Sequence, residues 1–63
     1  MRLIPVNSSA IRAVGHDGHT LSVEFHRSGV YHHAGVPYEV YAGLMAARSK
    51  GAHYNRFIRG RYR

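Results

Sequence analysis

Six of the nine basic residues of this 63-residue chain fall in its last sixteen positions, and no Asp or Glu accompanies them. They are Arg48, Lys50, Arg56, Arg59, Arg61 and Arg63, with Tyr54, Phe57 and Tyr62 interleaved. Cations neutralise phosphates and flat rings stack on unpaired bases, so the pattern suits nucleic acid, RNA before DNA. Eight of the nine cations are Arg. A guanidinium is a planar fork that grips phosphate or carboxylate through two parallel hydrogen bonds. The same fork serves acidic side chains, so docking on an acidic surface of a larger enzyme is the second chemistry this segment supports. The candidate contacts are Arg48, Lys50, Arg56, Arg59, Arg61 and Arg63 for charge, with Tyr54 and Tyr62 for stacking. Phe57 and Ile58 are expected to face inward.

The remaining reactive residue types do not assemble into a catalytic pattern. Six His invite a metal reading. His32 and His33 are neighbours on an expected strand, so they point to opposite faces. His16 and His19 flank a turn with Asp17 beside them, and no His-x-x-x-His pair sits on a helix. The chain has no cysteine, which excludes disulfides and thiolate zinc sites. His33, His53 and Arg56 supply the residue types of a general acid–base nuclease, without a spacing that brings them together. Asp17, Glu24 and Glu39 are the only carboxylates, and none are paired for two-metal chemistry. The expectation is a non-enzymatic module with no metal or cofactor.

Pattern divides the elements that must position these residues into two groups. Leu21-Ser22-Val23-Glu24-Phe25-His26 alternates strictly, which predicts a half-buried strand with Leu21, Val23 and Phe25 inward. Asp17-Gly18 before it fits a tight hairpin turn, so Ile11 to His16 should pair antiparallel with Thr20 to His26. Arg27-Ser28-Gly29 marks a second turn, and Val30 to His33 a third strand with Tyr31 and His33 on one face. Pro37 suits the first turn of a helix, Glu39 complements its dipole, and Val40, Tyr41, Leu44, Met45 and Ala47 give its apolar stripe. Ser49 ends that helix or caps a second one carrying Tyr54, Phe57 and Ile58 on one face, with Arg56 and Arg59 outside it and Gly60 as its stop. The fold class is therefore α+β, a small three-stranded antiparallel β-meander (about residues 9–34) followed by two short α-helices (about 37–59).

Taken in order, Ser8-Ser9-Ala10-Ile11, Val14-Gly15, Leu21-Ser22-Val23-Glu24-Phe25, Gly29-Val30-Tyr31, Gly35-Val36-Pro37, Val40-Tyr41-Ala42-Gly43-Leu44, Ala47-Arg48-Ser49-Lys50-Gly51 and Tyr54-Asn55-Arg56-Phe57-Ile58-Arg59 resemble the KTSC domain. That family takes its name from the C-terminus of some lysyl-tRNA synthetases and also occurs as stand-alone bacterial or phage proteins. The resemblance implies one domain over residues 1–63 and brings a suggested, not an established, RNA-binding activity. The family's central Tyr-x-Tyr motif falls on Tyr31-His32-His33, where the second Tyr is replaced by His33. If these two positions form a stacking platform, the replacement weakens half of it. If they are core, His33 needs a hydrogen-bond partner.

Length sets the remaining expectations. A chain this short buries only roughly 60% of its unfolded surface, so a second copy of the chain is one open way to add core. The net charge is +6. No apolar run approaches the roughly 20 residues that span a bilayer, and Met1 to Val6 turns polar too soon for a signal peptide, so a cytoplasmic protein without a membrane partner is expected. A basic helix with Phe57, Ile58 and Tyr62 could touch a membrane surface, but its apolar face is expected to serve the core.

Overall fold

The computed structural model describes residues 2–62. The elements run β1 (Ile4–Pro5), β2 (Ile11–His16), β3 (Leu21–Phe25), β4 (Gly29–His33), α1 (Tyr38–Ala46) and α2 (Lys50–Phe57). The fold is α+β, as the patterning implies, but the sheet has four strands rather than three, antiparallel in the order β1-β2-β3-β4. The extra strand pairs Ile4 with Val14 and Pro5 with Ala13. Two residues ending in a proline carry no alternation to read. Proline is tolerated there because an edge strand can do without its N–H.

The hairpin of β2 and β3 forms as expected but contains a bulge. Ile11 pairs with Phe25 and Ala13 with Glu24, so Arg12 is the extra residue. Ile11 and Val14 are three apart, and strict alternation would send them to opposite faces. The bulge shifts the phase, and both are fully buried in one core. In the β2–β3 turn only Gly18 has positive φ, 98°. The turn is held instead by Asp17, whose Oδ1 accepts from the His19 and Thr20 backbone N–H groups at 3.0 and 2.7 Å. Those two bonds favour the ionised carboxylate and hold Asp17 below the usual aspartate range.

The two helices cover one face of the sheet. Ile11, Val14, Leu21, Val23, Val36, Leu44, Tyr54 and Ile58 form a single buried cluster. Pro37 lies just before α1, as its N-cap, and its carbonyl accepts from Val40. Ser49 caps α2, its hydroxyl accepting from the Ala52 N–H at 3.4 Å. Gly51 lets α2 approach the N-terminal segment closely, since a Cβ there would lie 3.2 Å from the Ala10 side chain. Phe57, expected inward, is 43% exposed. The helix ends at this residue, and Tyr54 and Ile58 have already filled the buried face. Phe25 is only half-buried, because its partner on β4 is Gly29, which offers no side chain to cover it. No helix among the described residues is long and apolar enough to cross a membrane.

Candidate nucleic-acid interface

The basic segment folds into α2 and the connections on either side of it. Arg48 precedes the helix, Arg56 lies on it, and Arg59 and Arg61 lie in the turn that follows; all four are exposed. Among the described residues the only ion pair is Arg12 with Glu24, at 4.0 Å. Arg48, Arg56, Arg59 and Arg61 are thus left without a carboxylate partner there. The Arg56 guanidinium sits 5.6 Å from the Phe57 ring centroid, a cation–π arrangement that pairs charge with an exposed ring. Arg63 lies outside the described residues.

Three sequence expectations change here. Tyr54 is not a free stacking surface: it is 6% exposed, with Phe25 and His33 rings 5.1 and 5.4 Å from its own. Lys50 is half-buried, and its ammonium donates to the Ala47 carbonyl at 2.9 Å, at the end of α1. That bond ties the two helices together and draws the charge inward. Tyr62 is half-buried against the core rather than extended into solvent. Gly60, at φ 79°, reverses the chain and brings Tyr62 back over the sheet.

The reversal serves His33, which is 8% exposed. Its Nδ1 lies 3.1 Å from the Tyr62 carbonyl and its Nε2 2.8 Å from the Tyr54 hydroxyl. A carbonyl only accepts, so Nδ1 carries the proton and donates, and Nε2 accepts from the tyrosine. The His that replaces the second Tyr of the central motif is therefore a core residue with both nitrogens satisfied. It pins β4 to α2 and to the C-terminal turn. Burial pushes the Tyr54 hydroxyl above the usual tyrosine value, opposed by the Arg59 charge. His32, on the other face as expected, meets the Ser22 hydroxyl at 2.6 Å.

Tyr31 shares the inward face with His33 but lies nearer the β3–β4 turn and is 47% exposed. Its ring stands 5.5 Å from that of Phe25, at 80°. Across from them are Asn55 on α2 and Arg59 in the turn that follows, and together these side chains line a cleft between the end of the sheet and α2. The sequence indicated Arg59 and left Tyr31 open between a stacking platform and the core. It gave no reason to single out Ser28 or Asn55, which join them only through the tertiary fold. The one available signal was the spacing of four between Asn55 and Arg59, which puts both on one side of a helix.

His33, His53 and Arg56 are not brought together. His33 is enclosed by tyrosines, whereas the His53 ring lies against Gly43 and Phe57 on the α1 side of α2. The His16 ring is engaged elsewhere, its Nε2 2.7 Å from the Val36 carbonyl and its Nδ1 accepting from the Gly18 N–H at 3.2 Å. Among the described residues no three His, Asp or Glu side chains are placed to hold a metal ion.

These features define a class: a small α+β module with an antiparallel four-stranded sheet, two covering helices and a basic last helix. The sequence profile of the KTSC domain matches residues 7–62, and the chain belongs to that family. A KTSC domain protein from Yersinia pestis has a crystal structure that superposes with a TM-score of 0.95 at 33% identity, over 98% of this chain and 90% of the other. An uncharacterized protein of Stutzerimonas stutzeri is 34% identical over 61 residues, 94% of this chain and 86% of that protein. A lysine–tRNA ligase of Nostoc punctiforme is 43% identical over 44 residues, 70% of this chain but only 8% of the ligase.

Proposed function

We propose that this KTSC domain is a non-catalytic module that binds single-stranded nucleic acid, RNA in particular, through α2 and its flanking turns. The observation that carries this reading is the set of exposed arginines, Arg48, Arg56, Arg59 and Arg61, left without carboxylate partners among the described residues. Two exposed rings flank the same helix, Phe57 beside Arg56 and Tyr31 beside Arg59. They replace the buried Tyr54 as the aromatic surfaces available for stacking. Rings beside cations favour unpaired bases over an acidic protein surface, which needs the charge alone, and over an A-form duplex, whose stacked bases offer no free faces. The relative inside a lysine–tRNA ligase is compatible with an appended RNA-contacting module, although it covers little of that enzyme.

The test is a fluorescence anisotropy titration of a short labelled single-stranded RNA at increasing salt. If about four arginines meet phosphates, the log–log slope is near −3, from roughly −0.7 per contact. Polyglutamate serves as the competing acidic partner. A flat titration at low salt, or displacement of the RNA by equimolar polyglutamate charge, overturns the reading.

A further inference from the structure

We propose that the cleft between the turn end of the β3–β4 hairpin and α2 is a subsite for one unpaired base, which rests on the nucleic-acid reading and deepens it. Phe25, Ser28, Tyr31, Tyr54, Asn55 and Arg59 line the cleft, whose volume is about 250 Å³. That is below the roughly 300–1,000 Å³ of pockets that hold drug-sized ligands, and it suits a single ring system. Three of the six lining residues are aromatic. Phe25 stands between Tyr31 and Tyr54 at interplanar angles of 80° and 75°, with centroids 5.5 and 5.1 Å away. Rings meeting near right angles form a corner, against which a flat base lies with its face on one ring and its edge toward another.

The polar residues are the ones a base with its phosphate requires. The Asn55 carboxamide offers a donor and an acceptor side by side, the pairing that reads a base edge bidentately. The Ser28 hydroxyl gives or takes one further bond. Arg59, in the turn that follows α2, supplies the cation for the adjoining phosphate. Among the described residues none of the Ser28, Tyr31, Asn55 and Arg59 side chains makes a hydrogen bond or ion pair within the protein, whereas Tyr54 and His33 beside them are fully engaged. The wall is thus built of fixed residues and the recognition groups are unoccupied. Tyr31, the retained first Tyr of the central motif, and His33, the replaced second one, have different tasks: His33 fastens Tyr54 behind the cleft and Tyr31 presents a ring within it.

The experiment compares a labelled single-stranded RNA with a ribose-phosphate strand of equal length and charge that lacks bases. The wild-type domain is expected to bind the RNA roughly tenfold more tightly, the scale of one base–aromatic stack. Tyr31→Ala and, separately, Asn55→Ala should each cut most of the preference for RNA over the abasic strand and leave abasic binding unchanged. Asn55 is an exposed helix position, so its variant keeps the question answerable if Tyr31→Ala is poorly folded. In parallel, titration with uridine 5′-monophosphate should move the backbone NMR signals of Ser28, Tyr31 and Asn55. Equal wild-type affinity for the two strands, or nucleotide shifts elsewhere with none at these residues, overturns the subsite and leaves the phosphate-binding reading standing. Binding of neither strand removes that reading and the subsite with it.

Discussion

The helices α1 and α2 are nearly equal in length, nine and eight residues, and reach the same core, yet they are held there differently. α1 is anchored by Leu44, a purely apolar side chain with no exposure, and its N-cap makes no side-chain hydrogen bond. α2 is anchored by Tyr54 and by Ile58 just past its end, and adds the Ser49 cap, the Lys50 bond to the Ala47 carbonyl and the Tyr54–His33–Tyr62 chain of hydrogen bonds. Apolar burial is non-directional and tolerates small rotations of a helix about its axis; hydrogen bonds do not. The helix that carries Arg56 and leads into the turn of Arg59 and Arg61 is therefore also the one whose rotation is fixed. That rotation decides whether Asn55 and Arg59 look into the cleft. On this account α1 is scaffold and α2 is an oriented surface.

The largest effect should come from breaking the scaffold. Leu44→Ala is expected to cost about 2–5 kcal/mol, which in a domain of this size approaches the whole stability. The thermal melt should broaden or disappear, and any loss of RNA binding should follow the loss of fold. A variant that melts within a few degrees of wild type would show that α1 contributes little to the core, and the contrast between the helices would fail.

Next in size is the polar pin. Tyr54→Phe keeps the ring and removes the hydroxyl, leaving the buried His33 Nε2 without its donor, at about 1–3 kcal/mol. The same variant should change the alkaline limb of the stability profile. The folded value of Tyr54 is raised, so its contribution is fully present below the ordinary tyrosine value of about 10 and is lost as pH rises through the folded value. Melting temperatures measured at about pH 8 and about pH 11 should therefore differ less in Tyr54→Phe than in wild type. An equal alkaline loss in both proteins would mean that the hydroxyl is not buried in solution as it is here.

The contrast was only partly legible in the sequence. The alternation in β3 and the Asp17-Gly18 turn are local signals, and each placed its element; Ser49 was read as either the end of α1 or the cap of α2, and it is the cap. The position of α2 in the basic segment and the outward direction of Arg56 and Arg59 followed from helical spacing. What could not be read depends on residues distant in the chain. Tyr54 looked like a stacking residue because the sequence does not show that His33, 21 positions earlier, would enclose its hydroxyl. β1 and the Arg12 bulge are set by pairing partners rather than by any pattern of their own. The cleft brings together a strand end, a turn and a helix, so Ser28 and Asn55 had no common motif to reveal them.

The smallest expected effect on stability separates the two flanks of α2 itself. Arg56 lies toward Phe57, while Arg59 lines the cleft with Tyr31. Both are exposed, so replacing either with Ala should leave the melt within about 0.5 kcal/mol of wild type. Their effects on RNA should differ in kind. Arg56→Ala removes one phosphate contact, so the salt slope should fall by about 0.7 and the loss should be the same for base-bearing and abasic strands. Arg59→Ala removes a phosphate contact and the cation beside the base, so it should also shrink the preference for the base-bearing strand. Titrations of both variants against both strands at several salt concentrations separate these outcomes. If Arg56→Ala and Arg59→Ala reduce that preference equally, α2 is an undifferentiated basic rod, and the orientation imposed by Tyr54 and His33 has no bearing on recognition.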